Sequence, residues 1–122
     1  MPSYLIVDDS RVSREVIKVY LAGDGVTLLE AKDGEEALVV AKRESPDAVV
    51  CDMRMPKLDG PGLCRAMAAD SALAQIPVII LTGQTDSEAK RTCLEAGARE
   101  VLGKPVDPTT LLESVRRHAK AT

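Results

Sequence analysis

Carboxylate, hydroxyl and ammonium side chains follow four short apolar segments of this sequence. In chain order, these residues are Asp8, Asp9, Asp52, Thr82 and Lys104. Three carboxylates in one place would repel one another, but one lysine and one divalent cation together cancel their three negative charges. Oxygen ligands select hard cations, and Mg²⁺ keeps water molecules that phosphate oxygens can replace. The residue types therefore predict a Mg²⁺ site, provided that the fold brings them together.

A carboxylate beside Mg²⁺ and an ammonium group is a competent nucleophile toward phosphorus. The metal and Lys104 would neutralise the charge that develops on the equatorial phosphoryl oxygens, and the hydroxyl of Thr82 would donate to one of them. The product would be an acyl phosphate, a covalent intermediate that aspartate also forms in ATPases. The sequence thus predicts Mg²⁺-dependent phosphoryl uptake by an aspartate.

Five short apolar segments are typical of the β-strands that must position these residues. Three of the segments are continuous rather than alternating, which indicates strands covered on both faces, as in a parallel sheet. The segments span residues 4–7, 26–31, 48–51, 78–81 and 100–102. Stretches long enough for crossover helices lie between them, so we predict an α/β fold, a (βα)₅ doubly wound five-stranded parallel sheet. With the strand order 2-1-3-4-5, the polar strand ends would meet at one edge, where such sheets bind ligands.

Helix signals occupy the stretches between the strands. We predict N-caps at Ser10 and Asp107, and Gly97 is a typical stop for the helix before it. Thr85 and Glu88 match a capping box at the start of that helix. The apolar positions of the first helix are Val12, Val16, Val19 and Tyr20, and the second helix is predicted over residues 34–44, ended by Ser45-Pro46.

Composition excludes several classes of function. The 122 residues are expected to form one domain, residues 1–122, with an aliphatic core because aromatic residues make up only 2%. The few aromatic side chains argue against stacking on single-stranded nucleic acid, and a net charge of −3 argues against direct binding to nucleic acid or anionic membranes. No membrane span or signal peptide is recognisable. Cys51, Cys64 and Cys93 lack CxxC spacing, so we expect reduced thiols and a cytoplasmic location.

Other possible sites fail on spacing. The segment from Gly97 to Lys104 has one residue too many between its glycines for a nucleotide-binding loop, and Pro105 stands where Ser or Thr would hold Mg²⁺. His118 has no acidic or cysteine partner at ligand spacing, so we interpret it as a residue favoured at a helix C-terminus.

Five segments resemble the receiver domain of bacterial two-component response regulators, of the chemotaxis-receiver type. They are residues 5–10, 50–56, 58–60, 80–83 and 103–105, with the sequences LIVDDS, VCDMRMP, LDG, ILTG and GKP. The resemblance covers essentially the whole chain, in order and at the family's spacing. It implies a flavodoxin-like fold with the strand order 2-1-3-4-5, an order that chemotaxis receivers are known to have.

The resemblance also implies roles for individual residues. Asp52 would be the phosphoacceptor, and it would bind Mg²⁺ directly together with Asp9 and the backbone carbonyl of Arg54. Asp8 would act on the metal largely through a water molecule. Thr82 would be the switch hydroxyl that moves toward the phosphoryl group.

The resemblance also implies that Lys104 pairs with the phosphoryl group and that the peptide bond between Lys104 and Pro105 is cis.

Two positions depart from the family pattern. Val101 stands where the family usually carries an aromatic switch residue, which weakens the expected readout. Pro61 and Gly62 stand where helix formers are more common, and Gly62 should loosen the helix start by roughly 1 kcal/mol relative to alanine.

The function implied is that of a signalling switch rather than an enzyme acting on other substrates. A sensor histidine kinase or a phosphotransfer protein would phosphorylate Asp52, and the change would alter affinity for a downstream protein target or output domain. One alternative is a receiver-fold interaction module that works independently of phosphorylation, motivated by Val101. The other is a Mg²⁺-dependent phosphatase, which Arg54 disfavours because such enzymes commonly have an acid at that position.

Overall fold

Five strands alternate with five helices in the computed structural model, which describes residues 2–23, 25–83 and 87–119. The strands are β1 Ser3–Val7, β2 Thr27–Ala31, β3 Ala48–Asp52, β4 Val78–Thr82 and β5 Glu100–Gly103. The helices are α1 Arg11–Leu21, α2 Gly34–Glu44, α3 Gly60–Ala68, α4 Ser87–Ala96 and α5 Pro108–His118. The predicted (βα)₅ architecture is confirmed.

All strand pairs are parallel, and their order is β2-β1-β3-β4-β5, as predicted. Backbone hydrogen bonds continue past the strands at the edge where the polar residues lie. The N–H of Asp8 donates to the carbonyl of Ala31 at 3.2 Å, and the N–H of Lys104 donates to the carbonyl of Thr82 at 2.9 Å. The backbones of both residues are therefore held in line with the sheet.

Separate apolar clusters cover the two faces of the sheet. Leu5 and Val7 pack with α2, α3 and α4 on one face, whereas Tyr4 and Ile6 pack with α1 and α5 on the other. Because successive strand residues point to opposite faces and both faces are covered, the strands read as continuous apolar runs. Burial of each large aliphatic side chain stabilises the fold by roughly 1.5–3 kcal/mol. The polar residues at the strand ends are therefore attached to a stable sheet.

Asp and Ser side chains cap four of the helices. Ser10 and Asp107 accept the backbone N–H of Ser13 and Thr110, as predicted. Asp33 and Asp59 make the same bond for α2 and α3, which the sequence analysis did not predict. Gly97 follows α4 with a φ of 118°, in agreement with its predicted role as a stop. The capping box stays a prediction, because Thr85 lies outside the described residues.

The apolar positions that identified α1 are mostly not its core face. Val12, Val16 and Val19 are 75%, 43% and 74% exposed, whereas Ile17 and Leu21 are buried. Helical spacing correctly predicted the helix, but the repeating valines form an apolar strip on its outer side. We call Val12, Val16 and Val19 the α1 strip.

The three cysteines are free, buried thiols of the apolar cluster formed with α2, α3 and α4, in agreement with the prediction of reduced thiols. Burial raises the pKa of Cys64 to about 12, so this thiol stays protonated and unreactive at neutral pH. Within the described part of the chain, no helix combines the length and the hydropathy needed to cross a membrane.

A carboxylate on β5 anchors the last turn of α5. One oxygen of Glu100 accepts from Ser114 and Arg117, each at 2.6 Å, and lies 2.9 Å from Nε2 of His118. Burial raises the pKa of Glu100, but the hydrogen bonds from these three side chains outweigh it, and the pKa lies below its ordinary value. His118 thus has an acidic partner, which spacing along the sequence could not reveal.

We predict that Glu100→Gln destabilises the protein by about 1.5 kcal/mol near neutral pH, because charged hydrogen bonds are lost. The pKa of Glu100 is lower in the folded state than its ordinary 4.5. Its stabilising effect is therefore complete above that ordinary value and is lost as the pH falls through the folded-state pKa. Thermal unfolding of both proteins as a function of pH should show a difference in midpoint that shrinks in acid.

The matched control is Glu113→Gln, at an exposed position of α5, the helix that Glu100 contacts. It should leave the unfolding midpoint nearly unchanged at every pH. A Glu100→Gln effect that is the same at neutral and acidic pH would contradict the assignment.

Candidate functional site

Three carboxylates meet at the carboxyl edge of the sheet. Asp8 and Asp9 directly follow β1, and Asp52 is the last residue of β3, the strand beside it. One oxygen from each of the three lies within 4.8 Å of the others. Asp8 is buried, Asp52 is partly buried and Asp9 is exposed, so the cluster opens toward solvent on one side.

Lys104 brings a positive charge to this cluster. Its Nζ lies 3.0 Å from Oδ1 of Asp52 and 3.9 Å from Oδ2 of Asp8. The position of the lysine follows from β5, since its backbone N–H is bonded to the last residue of β4. Its peptide bond to Pro105 is cis, as the resemblance implied.

Asp8 carries the main electrostatic strain of the site. Burial raises its pKa, and the charges of Asp52 and Asp9 act in the same direction. The backbone N–H of Ser10, which donates to Oδ1 at 2.8 Å, and the charge of Lys104 lower the pKa only in part. Asp8 therefore binds its proton more tightly in the folded protein than a free aspartate does.

One carboxylate oxygen of Asp8 has no hydrogen-bond partner among the described residues. In the part of the chain that the structure describes, Oδ2 of Asp8 is buried and accepts no hydrogen bond. Buried polar atoms are nearly always paired, and leaving one unpaired costs about 1–3 kcal/mol. A hard divalent cation, held by oxygens only, would satisfy this atom and offset the repulsion among the carboxylates. The residues present therefore fit Mg²⁺.

Thr82 lies on the strand beside Asp52, and Arg54 lies in the loop that follows Asp52. Thr82 is the last residue of β4 and is 3% exposed. Arg54 has an exposed side chain in the loop after β3. The start of that loop is held by the N–H of Met53, which donates to Leu81, and its end by the N–H of Gly60, which donates to Met53, each at 2.9 Å. The roles of Thr82 and of the Arg54 carbonyl stay predictions.

Arg14 is a residue of the site that the sequence analysis missed. Its Nη1 donates to the backbone carbonyl of Asp8 at 2.6 Å, and its Nε pairs with Glu30 at 3.1 Å. Glu30 also pairs with Lys18 at 3.0 Å, and these partners lower the pKa of Glu30. The network ties α1 to β2 and fixes the chain at Asp8. A charged residue within the apolar second strand was the only signal in the sequence.

The two departures from the family pattern have different structural settings. Val101 is 8% exposed and lines, with Thr82, Lys90 and Gly103, a small cavity of about 40 Å³. A Cβ atom at Gly62 would lie 2.7 Å from Cδ1 of Leu58. Glycine at position 62 therefore makes room for the side chain of Leu58.

An apolar groove adjoins the carboxylates. It lies between α1 and the segment after β5, has a volume of about 410 Å³, and its walls include Val12, Val16 and Pro105. Asp8 and Lys104 form its polar end. The groove and the α1 strip are thus continuous with the charged site.

Known proteins resemble this chain over nearly its full length. The family model described as "Response regulator receiver domain" matches residues 4–116. A probable transcriptional regulator, ycf27, from Porphyridium aerugineum is 39% identical over 92% of this chain, but the match covers only 45% of that relative. The chain thus spans about half the length of the first curated relatives that it matches.

Two further relatives match over almost their whole length. Protein PilH from Pseudomonas aeruginosa is 36% identical, and the match covers 94% of this chain and 95% of PilH. The structure of a putative response regulator from Chloroflexus aurantiacus superposes with a TM-score of 0.90 at 36% identity, covering 96% of this chain and 97% of that one.

We predict that Mg²⁺ stabilises the unsubstituted protein by about 2.7 kcal/mol at a concentration 100 times its Kd, and that Asp8→Asn removes most of this effect. In the absence of Mg²⁺, Asp8→Asn should instead raise the unfolding midpoint at neutral pH. The pKa of Asp8 is higher in the folded state, so its ionisation lowers the stability as the pH rises above the ordinary value of 3.8, and the loss is complete above the folded-state pKa. Thermal unfolding with and without MgCl₂ measures both effects.

The control is Asp107→Asn, because Asn caps a helix as well as Asp and position 107 is exposed. It should respond to Mg²⁺ like the unsubstituted protein. Equal responses of all three proteins to Mg²⁺ would contradict a metal site at Asp8.

Proposed function

The chain belongs to the response regulator receiver family, and from this premise we propose that it accepts a phosphoryl group on Asp52 in cytoplasmic two-component signalling. The observation that supports the assignment most directly is the placement of Asp52. Its carboxylate lies beside those of Asp8 and Asp9 and 3.0 Å from the ammonium group of Lys104. A nucleophile, a source of positive charge and oxygen ligands for Mg²⁺ thus lie within reach of one another.

The proposed step is a transfer from a phosphohistidine to Asp52. A carboxylate oxygen of Asp52 forms a bond to phosphorus while the bond between phosphorus and the imidazole nitrogen breaks, and the electron pair stays on that nitrogen. Lys104 balances negative charge on the phosphoryl oxygens, and Thr82 donates its hydroxyl to one of them. When bound, Mg²⁺ supplies further positive charge to these oxygens, held by Asp8, Asp9, Asp52 and the backbone carbonyl of Arg54.

The proposed partners follow from this chemistry. The phosphoryl donor is a sensor histidine kinase or a phosphotransfer protein, and the phosphorylated state changes the affinity for a downstream protein target or output domain. The chain acts as a signalling domain, and we propose that the only reactions it catalyses are its own phosphorylation and dephosphorylation.

Val101 supports a second candidate function, a phosphorylation-independent interaction module. A valine at 8% exposure cannot move as a ring between buried and exposed positions. Equal affinity of a partner for the phosphorylated and unphosphorylated chain would favour this candidate, since a ligand with equal affinity for two states shifts neither.

We further propose that the protein donor docks on the α1 strip and the groove beside it. Val12 and Val19 expose most of their side chains to solvent, and the groove continues to Asp8 and Lys104. Apolar positions one helical turn apart suit an amphipathic helix of a partner. A helix placed there would bring a phosphohistidine on its surface close to Asp52.

We predict that Asp52→Asn abolishes phosphoryl uptake from acetyl phosphate, because an amide lacks the nucleophilic oxygen. Intact mass after incubation with acetyl phosphate and MgCl₂ should show one phosphoryl adduct on the unsubstituted chain and none on the variant. Asp59→Asn is the control, since it removes another carboxylate of the same segment but preserves the cap of α3. An adduct on the Asp52→Asn protein would rule out Asp52 as the acceptor.

We predict that Val12→Gln slows transfer from a phosphorylated histidine kinase about fivefold or more, corresponding to about 1 kcal/mol of docking energy. Its rate with acetyl phosphate should stay unchanged, because a small donor needs no docking surface. The matched control is Val39→Gln, at a valine that is 59% exposed on α2, on the opposite face of the sheet. If both variants accept phosphoryl groups from the kinase at the unsubstituted rate, the donor docks elsewhere.

A further inference from the structure

The loop between β3 and α3 contains a backbone turn that needs external support. The N–H of Leu58 donates to the carbonyl of Pro56 at 2.7 Å, and Lys57 between them has a φ of 70°. A three-residue turn with positive φ at its centre is rare and strained, and for a residue other than glycine it costs about 1 kcal/mol or more. Such a conformation persists only where the surrounding structure imposes it.

The start of α2 supplies this support. Gly34 is buried against Leu58, and a Cβ atom at position 34 would lie 2.7 Å from Cβ of Leu58 and still closer to its carbonyl oxygen. Only glycine permits this contact between two backbones. Asp33, next to it, caps α2 through Oδ1 while its Oδ2 lies 3.8 Å from Nζ of Lys57.

The turn cannot yield toward α3 without breaking other contacts. Leu58 packs against the core cluster below α2, and Asp59 caps α3 by accepting the N–H of Gly62 at 2.8 Å. At the other end of the loop, the N–H of Met53 is bonded to β4. The short segment between these two anchors contains Arg54, so a displaced turn changes the course of the backbone at Arg54.

We propose that Gly34 is a positioning residue of the phosphorylation site. By letting α2 contact the backbone of Leu58, it holds the turn at Lys57 and thereby the Arg54 carbonyl where it can bind Mg²⁺. The inference rests on the proposed function, since it takes Arg54 as a metal ligand. It adds that metal affinity depends on a residue of α2 that touches neither the metal nor Asp52.

The test is a titration of each ¹⁵N-labelled protein with MgCl₂, monitored by the amide chemical shifts of the folded state. Gly34→Ala should raise the Kd for Mg²⁺ about tenfold or more, the usual effect of losing a residue that orients a metal ligand. The matched control is Gly62→Ala, whose Cβ would meet only side-chain atoms, chiefly Cδ1 of Leu58 at 2.7 Å and Oδ1 of Asp59 at 3.0 Å, and no backbone of the turn. The control should leave the Kd nearly unchanged.

Thermal unfolding without Mg²⁺ separates positioning from stability, because a merely structural residue would lower the midpoint and leave the Kd of the folded protein unchanged. If Gly34→Ala does not fold, the substitution is placed in a Lys57→Gly background, where glycine accepts positive φ at no steric cost. Lys57→Gly alone should bind Mg²⁺ normally, since Gly34 still contacts Leu58. Adding Gly34→Ala should weaken binding in this background too, because the new Cβ still meets the backbone of Leu58 and displaces it.

Two results would overturn this inference but not the proposed function. One is that Gly34→Ala binds Mg²⁺ as tightly as its parent protein in either background. The other is that Gly62→Ala weakens Mg²⁺ binding as much as Gly34→Ala does. Failure of the unsubstituted protein to bind Mg²⁺ would overturn the proposed metal site as well.

Discussion

Repulsion among three carboxylates at one sheet edge is the constraint on which the rest of this structure depends. Asp8 is buried at this edge with its pKa raised, and Oδ2 lacks a hydrogen bond within the described chain. Such an arrangement opposes folding and survives because Lys104, the N–H of Ser10 and the well-packed sheet offset it. The same unbalanced charge makes the cluster of Asp8, Asp9 and Asp52 one that could hold a divalent cation.

The scaffold places this charge through backbone contacts more than through side chains. The backbone hydrogen bonds of the sheet continue beyond β1 and β5 to Asp8 and Lys104, and Arg14 donates a hydrogen bond to the carbonyl of Asp8. The loop after Asp52 is bonded to β4 at its start and contacts Gly34 near its end. A site that must hold like charges close together needs such rigid support, because flexible side chains would move apart.

The carboxylate cluster and the apolar groove occupy adjoining surfaces. The carboxylates open at the strand ends, and the groove beside α1 begins at Asp8 and Lys104. The buried Val101 lies on the other side of Thr82, where the cavity is small. The groove and the cavity at Val101 are therefore distinct surfaces beside the charged site.

The sequence by itself determined the fold class and the residues at the strand ends, because continuous apolar strands and local caps such as Ser10 depend on neighbours in the chain. The strand order was implied by the resemblance to the receiver family, since no local pattern fixes which strands pair. Tertiary structure alone decided the rest. Helical spacing places the valines of α1 on one side but cannot say whether another element covers them. The pairing of Glu100 with His118, and the fit of Gly34 against Leu58, join segments far apart in sequence. Their distances arise only when the helices pack on the sheet, because packing, not local preference, sets the separation between elements.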